Sequence, residues 1–188
     1  MIARNPKEIR PRLIIGLGNP DEEYKNTYHN VGVIFVDYLS KALNGGSFNK
    51  AQNFEYKKLD SLVLIKSLTY MNNSGEAVRS AIKYFHADKS AKAKIEPEEI
   101  LIIHDDSDLS LGKFKLSIGQ GAAGHHGIES IVNTLGTNDF ARIRIGIRPP
   151  LEKTRGKAGD FVLKTISPAN KNILESVFQN IVNDAALI

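Results

Sequence analysis

The sequence predicts an α/β fold, a single domain in which a twisted mixed β-sheet is flanked by helices. Short runs rich in β-branched residues alternate along the chain with helical apolar patterns, which is the order typical of α/β proteins. Two strands, Phe54–Leu59 and Leu62–Ile65, are separated only by Asp60 and Ser61. Such a short connection predicts an antiparallel hairpin, and the sheet is therefore expected to be mixed.

The first strand is predicted at residues 13–17 and leads into a tight turn, GLGNP. A G-x-G after a strand suggests a dinucleotide site. Here Asp21 stands at the third glycine position and Pro20 intervenes, which argues against a Rossmann site. His29 lies just before the predicted first helix. The apolar residues of that helix recur at three- and four-residue spacing: Val33, Val36, Leu39 and Leu43.

A second helix is predicted after the hairpin, with Ser74 as its N-cap. Its apolar positions are Ala77, Val78, Ala81, Ile82 and Phe85. Asn72 and Asn73 stand in the connection before it. They are either turn residues that bond local backbone or neutral amides that bind a substrate. Residues 87–99 are charged and rich in Ala and Lys, and are predicted to form an exposed linker within the domain.

The stretch HDDSDLSLGK, 104–113, is the centre of the predicted site. A buried strand, Ile100–Ile103, precedes it, and its carboxylates Asp105, Asp106 and Asp108 would repel each other in a core. We therefore expect an acidic loop at the carboxyl end of that strand, where open α/β sheets bind ligands. The alternative is a solvated acidic turn.

The rest of the chain adds two strands, a glycine-rich loop and two helices. Strands are predicted at 113–118 and 142–147, the second with a basic face that either binds an anionic partner or is only solvated. The loop at 119–127 precedes a helix and is either an anion site or a mobile connection; it lacks the G-K-[ST] of a P-loop. Ser167 and Pro168 begin the last helix. Its apolar stripe is Ile173, Leu174, Val177, Phe178, Ile181 and Val182.

Composition limits the chemistry that is available. Cys is absent, which excludes disulfides and thiolate catalysis, and the net charge of +4 permits an anionic partner without requiring one. Residues 1–12 lack the apolar region of a signal peptide and are predicted to be a flexible arm before a catalytic domain at 13–188. The expected location is the cytoplasm.

The polar residues at the predicted strand ends suggest ester hydrolysis. They are Asn19, His29, Asn72, Asp105 and the pair at 125–126. A carboxylate beside a histidine would support the imidazole as a base that deprotonates water, while asparagine amides could polarise a carbonyl. Neither a G-x-S-x-G motif nor Cys is present, which favours direct attack by water over a covalent intermediate.

Five segments, in order, resemble the bacterial-type peptidyl-tRNA hydrolases: LIIGLGNPDEEYKNTYHNVG, SLTYMNNSGEAV, ILIIHDDSDLSLGKFKL, GAAGHHGIESIVNTLGTNDFARIRIGI and GDFVL. Together they cover nearly the whole chain from Leu13. The resemblance implies a single-domain α/β fold and cleavage of the ester that joins a peptide, or an N-blocked aminoacyl group, to tRNA. It implies no metal and no organic cofactor. We expect a monomer whose partner is peptidyl-tRNA, with no obligate protein partner.

The resemblance also implies roles for particular residues. His29 corresponds to the catalytic base and Asp105 to its orienting partner, and we expect Asp105 to orient that one imidazole only. Lys115 and Arg144 correspond to a basic pair that contacts tRNA phosphate. The other substrate- and tRNA-binding positions are Asn19, Tyr24, Met71, Asn72 and His126.

Two positions depart from the family's pattern, and two other functions stay open. His126 stands where the family usually has an asparagine, and Arg148 stands near a position that favours glycine. A non-hydrolytic RNA-binding relative on the same fold is the first alternative. The second is a metallohydrolase, whose candidate ligands would be His104, Asp105, Asp106, Asp108, His125 and His126.

Overall fold

The computed structural model describes residues 9–44, 46–86, 95–148 and 161–184, and it shows one mixed seven-stranded sheet between helices. The predicted fold class is confirmed. The strands are β1 (Leu13–Gly16), β2 (Asn49–Lys50), β3 (Phe54–Leu59), β4 (Leu62–Ser67), β5 (Ile100–Ser110), β6 (Phe114–Ile118) and β7 (Ala141–Arg148). The α-helices are α1 (Val31–Ala42), α2 (Ser74–His86), α3 (His126–Leu135) and α4 (Pro168–Asn183).

The strand order is β2-β3-β4-β1-β5-β7-β6. Neighbours from β4 to β7 are parallel, whereas β2–β3, β3–β4 and β6–β7 are antiparallel. The predicted hairpin is the β3–β4 pair. Helices α1 and α4 pack on one face of the sheet, where Phe35 meets Phe178, and α2 and α3 cover the other face. The sheet therefore separates two hydrophobic layers.

The prediction that the central strand ends at Ile103 is wrong. β5 continues to Ser110, because it pairs with β7 through Asp106 and again, after a shift of register, at Ser110. Asp105 and Asp106 are consequently buried within a strand and do not form a solvated loop. Their burial is possible because each carboxylate has cationic or N–H partners, which sequence patterns alone do not show.

Several helix ends also differ from the predictions. Ser74 is the first residue of α2 and not its N-cap, since the 3-10 turn Met71–Asn73 precedes it and its hydroxyl donates to the Met71 carbonyl. α3 begins at His126, earlier than predicted. Leu43 and Ile173, predicted to be apolar core positions, are exposed. The predicted Ser167 cap and Pro168 at the first turn are confirmed.

Parts of three predictions fall outside the described residues. Of the linker at 87–99, the structure describes 95–99, where Ile95 is buried. Of the arm at 1–12, it describes 9–12, and Arg12 is tied to the sheet by backbone bonds with Glu99 and Val63. Of GDFVL, the first two residues are not described. Within the described ranges, no helix has the length and hydropathy needed to cross a membrane.

Two glycines let α1 approach the end of β1 very closely. A Cβ on Gly16 would lie 2.4 Å from the carbonyl oxygen of Gly32, and a Cβ on Gly32 would lie 2.2 Å from that of Ile103. Real side chains do not fit such gaps, so only glycine allows this contact between main chains. The start of α1 is thereby placed beside the carboxyl end of β1 and the middle of β5.

Candidate active site

A cleft of about 310 Å³ opens where the second half of β5 meets the glycine-rich loop before α3. Its floor carries buried polar residues of β5 and β7, and its wall is the loop itself. The lining residues are His29, His104, Asp105, Asp106, Ser107, Asp108, Ala122, Ala123, Gly124, His125, His126, Arg142, Arg144 and Val162. The predicted base and its carboxylate therefore share one cavity.

Asp105 is the centre of this cleft, and two imidazoles bind the same oxygen atom of its carboxylate. Nδ1 of His29 lies 2.9 Å from Oδ1, and Nε2 of His125 lies 3.1 Å from it. The two rings are tilted, with their centroids 5.3 Å apart. The expectation that Asp105 orients only one imidazole is therefore wrong.

Three separate elements bring these side chains together. His29 belongs to the 3-10 turn Tyr28–Asn30, which runs directly into α1, and the Tyr28 ring stacks on Phe161 at 4.7 Å. Asp105 lies in β5, and His125 is the N-cap of α3. The Nδ1 atom of His125 accepts a hydrogen bond from the Ile128 amide, so the ring itself caps the helix.

The hydrogen bonds assign the protons of both rings. An ionised carboxylate can only accept, so Nδ1 of His29 and Nε2 of His125 carry the protons. His125 then has both nitrogens engaged. Nε2 of His29 has no hydrogen-bond partner among the residues that the structure describes. Of the two imidazoles on Asp105, His29 is thus the one with a lone pair available to accept a proton.

The charge of Asp105 is maintained despite its burial. Burial by itself would raise the pKa of this carboxyl, but His125 and His29 outweigh it through charge and hydrogen bonds and hold the pKa well below its usual range. Asp105 is only 2% exposed. It is consequently an anion at neutral pH that can support positive charge on a neighbouring imidazole.

The same three residues have the composition of a metal site, although not the set predicted from the sequence. One ligand atom each from His29, Asp105 and His125 lies within 4.8 Å of the others. Two histidines and a carboxylate suit several divalent transition metals. Coordination through Nε2 of His125 would, however, move its proton to Nδ1 and displace the Ile128 amide. The helix cap thus favours the hydrogen-bonded arrangement over the metal-bound one.

Asn19 and Met71 are joined by a hydrogen bond at a second part of the site. The Asn19 side-chain oxygen accepts from the Met71 amide at 2.8 Å. The Asn30 side chain, which follows His29 directly, binds both the amide and the carbonyl of Asn19. Asn30 was missed in the sequence. Its position next to a candidate base and its amide side chain are the signals that could have identified it.

The other predicted substrate residues differ in how accessible they are to solvent. Met71 is buried, and its sulfur would lie 2.5 Å from a Cβ on Gly127, so it packs against the first turn of α3. Asn72 is exposed. Tyr24 is half-buried, and the pKa of its phenol is raised by a hydrogen bond with Glu23. The structure shows no direct bond between these three side chains and the His29–Asp105 pair within the described residues.

His126 is paired with Glu129 and not with the Asp105 carboxylate. Its side chain is 77% exposed, and its Nδ1 lies 3.1 Å from the Glu129 carboxylate one turn along α3. It is nevertheless one of the residues that line the cleft. The sequence placed two adjacent histidines in this loop but could not tell which one turns inward. The structure shows that it is His125.

The predicted basic pair is brought together on neighbouring strands. Lys115 of β6 and Arg144 of β7 are register partners, and Lys115 is exposed. Nε of Arg144 is hydrogen-bonded to Asp106, whose other oxygen accepts the amides of Asp108 and Leu109. Asp106 thus holds the guanidinium in place at the edge of the cleft.

The predicted basic face of β7 is only partly accessible to solvent. Arg142 is 2% exposed, and it donates to the carbonyls of Gln120 and Gly121 at 3.0 Å each. It therefore ties the glycine-rich loop to the sheet and is not solvated surface. Arg148 is exposed and donates to the Asp108 carbonyl.

Comparison with known proteins gives one consistent result. The profile of the family described as Peptidyl-tRNA hydrolase matches residues 13–188. The chain is 38% identical over 175 residues to the Peptidyl-tRNA hydrolase of Aquifex aeolicus, covering 91% of this chain and 86% of that protein. It is 40% identical over 170 residues to that of Sulfurihydrogenibium sp., covering 88% and 84%.

Solved structures agree with the sequence relatives. A crystal structure of peptidyl-tRNA hydrolase in complex with N-propanol is similar, with a TM-score of 0.78 and 29% identity, over 98% of this chain and 90% of that one. The crystal structure of peptidyl-tRNA hydrolase from Acinetobacter baumannii has a TM-score of 0.76 and 30% identity, over 93% and 86%.

Proposed function

This chain belongs to the peptidyl-tRNA hydrolase family, and on that basis we propose that it hydrolyses the ester between a peptide and tRNA through a water activated by His29 and Asp105. The products are a free peptide carboxylate and free tRNA, so the reaction is a carboxylic ester hydrolysis. The observation that carries the assignment of the base is the 2.9 Å bond between Nδ1 of His29 and Asp105. Because Nδ1 donates in this bond, Nε2 of His29 remains as the atom that can accept a proton.

In the proposed first step, Nε2 of His29 accepts a proton as a water oxygen attacks the ester carbonyl carbon. The imidazolium that forms is stabilised by the buried charge of Asp105, which also holds the ring in the required tautomer. In the second step the tetrahedral intermediate collapses and the bond to the ribose oxygen breaks. The imidazolium returns its proton to that oxygen, so that no covalent enzyme intermediate is needed.

We assign the acyl group and the ribose end to the surface beside His29. Asn19 and Met71 are bonded together there, and the other side chains proposed to bind this part of the substrate, Asn72, Tyr24 and His126, are exposed or half-buried. The side-chain nitrogen of Asn19, Nδ2, remains to donate to a substrate carbonyl, because the side-chain oxygen already accepts from the Met71 amide. A neutral amide of this kind can polarise an ester without titrating.

We assign the phosphates of tRNA to Lys115 and Arg144. The two cations are cross-strand neighbours at the β6–β7 edge, and Arg144 also lines the cleft. Asp106 engages Nε of Arg144, so the terminal guanidinium nitrogens remain for phosphate oxygens. This arrangement would bind tRNA through its backbone, without regard to its sequence.

The test is hydrolysis of an N-blocked aminoacyl-tRNA by the purified protein, with a free aminoacyl-tRNA as the control. Release from the blocked substrate alone supports the proposal. Binding of tRNA without release would favour the non-hydrolytic RNA-binding alternative, and loss of activity with a chelator that leaves the tRNA folded would favour a metallohydrolase. Equal release from both substrates would remove the proposed specificity.

We also propose that the protein acts as a monomer in the cytoplasm, without an obligate protein partner. The resemblance to the bacterial-type peptidyl-tRNA hydrolases, which implies peptidyl-tRNA as the partner, supports this view. Sedimentation of the purified protein with and without tRNA would test it. A dimer that persists in the absence of tRNA would contradict the monomer.

A further inference from the structure

Asp105 is contacted by a third imidazole, which the mechanism above does not use. Nδ1 of His104 lies 2.7 Å from the main-chain carbonyl oxygen of Asp105. The His104 ring also packs edge-to-face on His125, with centroids 4.6 Å apart. Three histidines thus converge on one residue, two at its carboxylate and one at its carbonyl.

His104 is buried as a neutral ring. It is 2% exposed, and its burial, together with the charges of His125 and Arg142, lowers the pKa of its imidazole well below the ordinary value, against a smaller opposing effect of Asp105. A carbonyl can only accept, so Nδ1 carries the proton of this neutral ring. Nε2 is then a bare lone pair, and it is buried without a hydrogen-bond partner in the structure.

A buried nitrogen without a partner destabilises the folded protein, so its presence calls for a reason. An apolar side chain would fill this position without an unsatisfied polar atom of its own. What it could not do is donate to the Asp105 carbonyl. That bond lies where regular pairing is about to fail, since the register of β5 against β7 shifts between Asp106 and Ser110.

From this geometry we infer that His104 is a positioning residue for the catalytic carboxylate: it holds the main chain of Asp105 through Nδ1 and packs against His125. The inference rests on the proposed function, because it concerns the same reaction. Its neutrality matters as much as its hydrogen bond. A positive charge on His104 would compete with His29 for the negative charge of Asp105.

The test compares His104→Leu with His104→Asn. The two side chains are similar in size, and both lack the ring, so they share whatever cavity the substitution creates. Only Asn offers an N–H near the former Nδ1 position. We expect kcat of His104→Leu to fall about tenfold or more, since small displacements of a catalytic group are costly, and KM to stay within about twofold. His104→Asn should recover most of that loss.

Equal kcat values in the two variants, or an effect on KM alone, would overturn the inference. Thermal unfolding of both variants shows whether they are folded at the assay temperature. If either is not, the wild-type protein still provides a test, because ¹⁵N NMR reports the tautomer of each imidazole. His104 should carry its proton on Nδ1 and stay neutral from pH 5 to 8. An Nε2–H tautomer, or a titration in that range, would contradict the role.

The outcomes separate this inference from the proposed function. Wild-type release of N-blocked aminoacyl groups, and its loss in His29→Ala, test the hydrolase alone. A wild-type enzyme that is active while the Leu and Asn variants are equal leaves the hydrolase intact and removes only the role of His104. Failure of wild-type hydrolysis removes the proposed function, whatever the NMR result.

Discussion

Gly16 and Gly32 lie in direct main-chain contact, with room for no side chain between β1 and α1. His29 stands three residues before Gly32, in the turn that leads into the same helix. The place of the candidate base is therefore set by a contact between backbones. Its distance from Asp105 depends on how closely this helix can approach the sheet.

Gly32→Ala should destabilise the protein and reduce turnover. The new Cβ would lie 2.2 Å from the Ile103 carbonyl oxygen, so α1 must move, at a cost of about 3 kcal/mol in the free energy of unfolding. Gly121→Ala is the matched control for stability, because a Cβ there meets nothing within 4 Å. Urea unfolding measures both. A loss below about 1 kcal/mol for Gly32→Ala would contradict the tight contact.

His29→Ala should lower kcat by about 10²–10⁴-fold, which is the typical contribution of a general base. Binding of tRNA should remain nearly unchanged, because the substitution removes proton transfer and no phosphate contact. Single-turnover hydrolysis and a filter-binding assay measure the two effects separately. Activity within about threefold of wild type, a barrier change below about 1 kcal/mol, would refute this assignment.

Asp105→Asn should weaken both catalysis and stability, and the second effect should depend on pH. The folded pKa of Asp105 lies below its unfolded value of about 3.9, so its stabilising effect is present above that pH and is lost as pH falls through the folded pKa. At pH 7 we expect a loss of about 2 kcal/mol. Below about pH 4 the stability of the variant should fall less steeply than that of wild type, by up to about 1.4 kcal/mol per pH unit.

The control for this measurement is Asp60→Asn. Asp60 is exposed in the hairpin turn at a positive φ of 43°, a conformation that asparagine also tolerates. Its replacement should leave the dependence of unfolding free energy on pH unchanged. If Asp105→Asn and Asp60→Asn gave the same pH profile, the carboxylate of Asp105 would not be held as an anion by the two histidines.

Lys115→Ala and Arg144→Ala should each raise KM more than they lower kcat. Each should also make tRNA binding less sensitive to salt, by up to about one unit of log–log slope per lost phosphate contact. Lys83→Ala, on the exposed side of α2, is the control for a general loss of positive charge. Unchanged slopes in both variants would mean that this edge of the sheet is only solvated surface.

His126→Asn should keep or slightly raise kcat/KM. The His126 ring is exposed and paired with Glu129, and it does not touch Asp105 in the structure. An asparagine would restore the amide that the family usually has at this position. The double variant with His29→Ala should be as inactive as His29→Ala alone. Should His126→Asn prove as inactive as that variant, the roles of the two histidines would have to be exchanged.

Local sequence patterns were sufficient for the fold class and for some element ends, because a hairpin turn or a helix cap depends mainly on neighbouring residues. The hairpin turn at Asp60 and the cap at Ser167 are such cases. The length of β5 could not be predicted in this way. Asp105 and Asp106 favour a loop by composition, and only partners distant in the chain, His29 and Arg144, make their burial in a strand possible.

The candidate site, like β5, could be predicted only in part from local sequence patterns. The pairing of His29 with Asp105 followed from the residue types and from the family resemblance, and the structure places the two side chains in hydrogen-bond contact. The part played by His125 depends on which of two adjacent histidines faces inward, which is decided by the geometry at the start of α3. Asn30 depends on how a turn folds back on Asn19. The roles of His125 and Asn30 could therefore not be predicted from the spacing of residues in the sequence.

The capping of α3 by His125 has a consequence for how the site responds to local opening. The ring that accepts from the Ile128 amide also donates to Asp105, so fraying of the first turn of this helix would release one of the two imidazoles on the carboxylate. The exchange of the Ile128 amide hydrogen with solvent deuterium would therefore report on the integrity of the candidate active site. The more stable the Asp105–His125 contact is, the more slowly the Ile128 amide hydrogen should exchange.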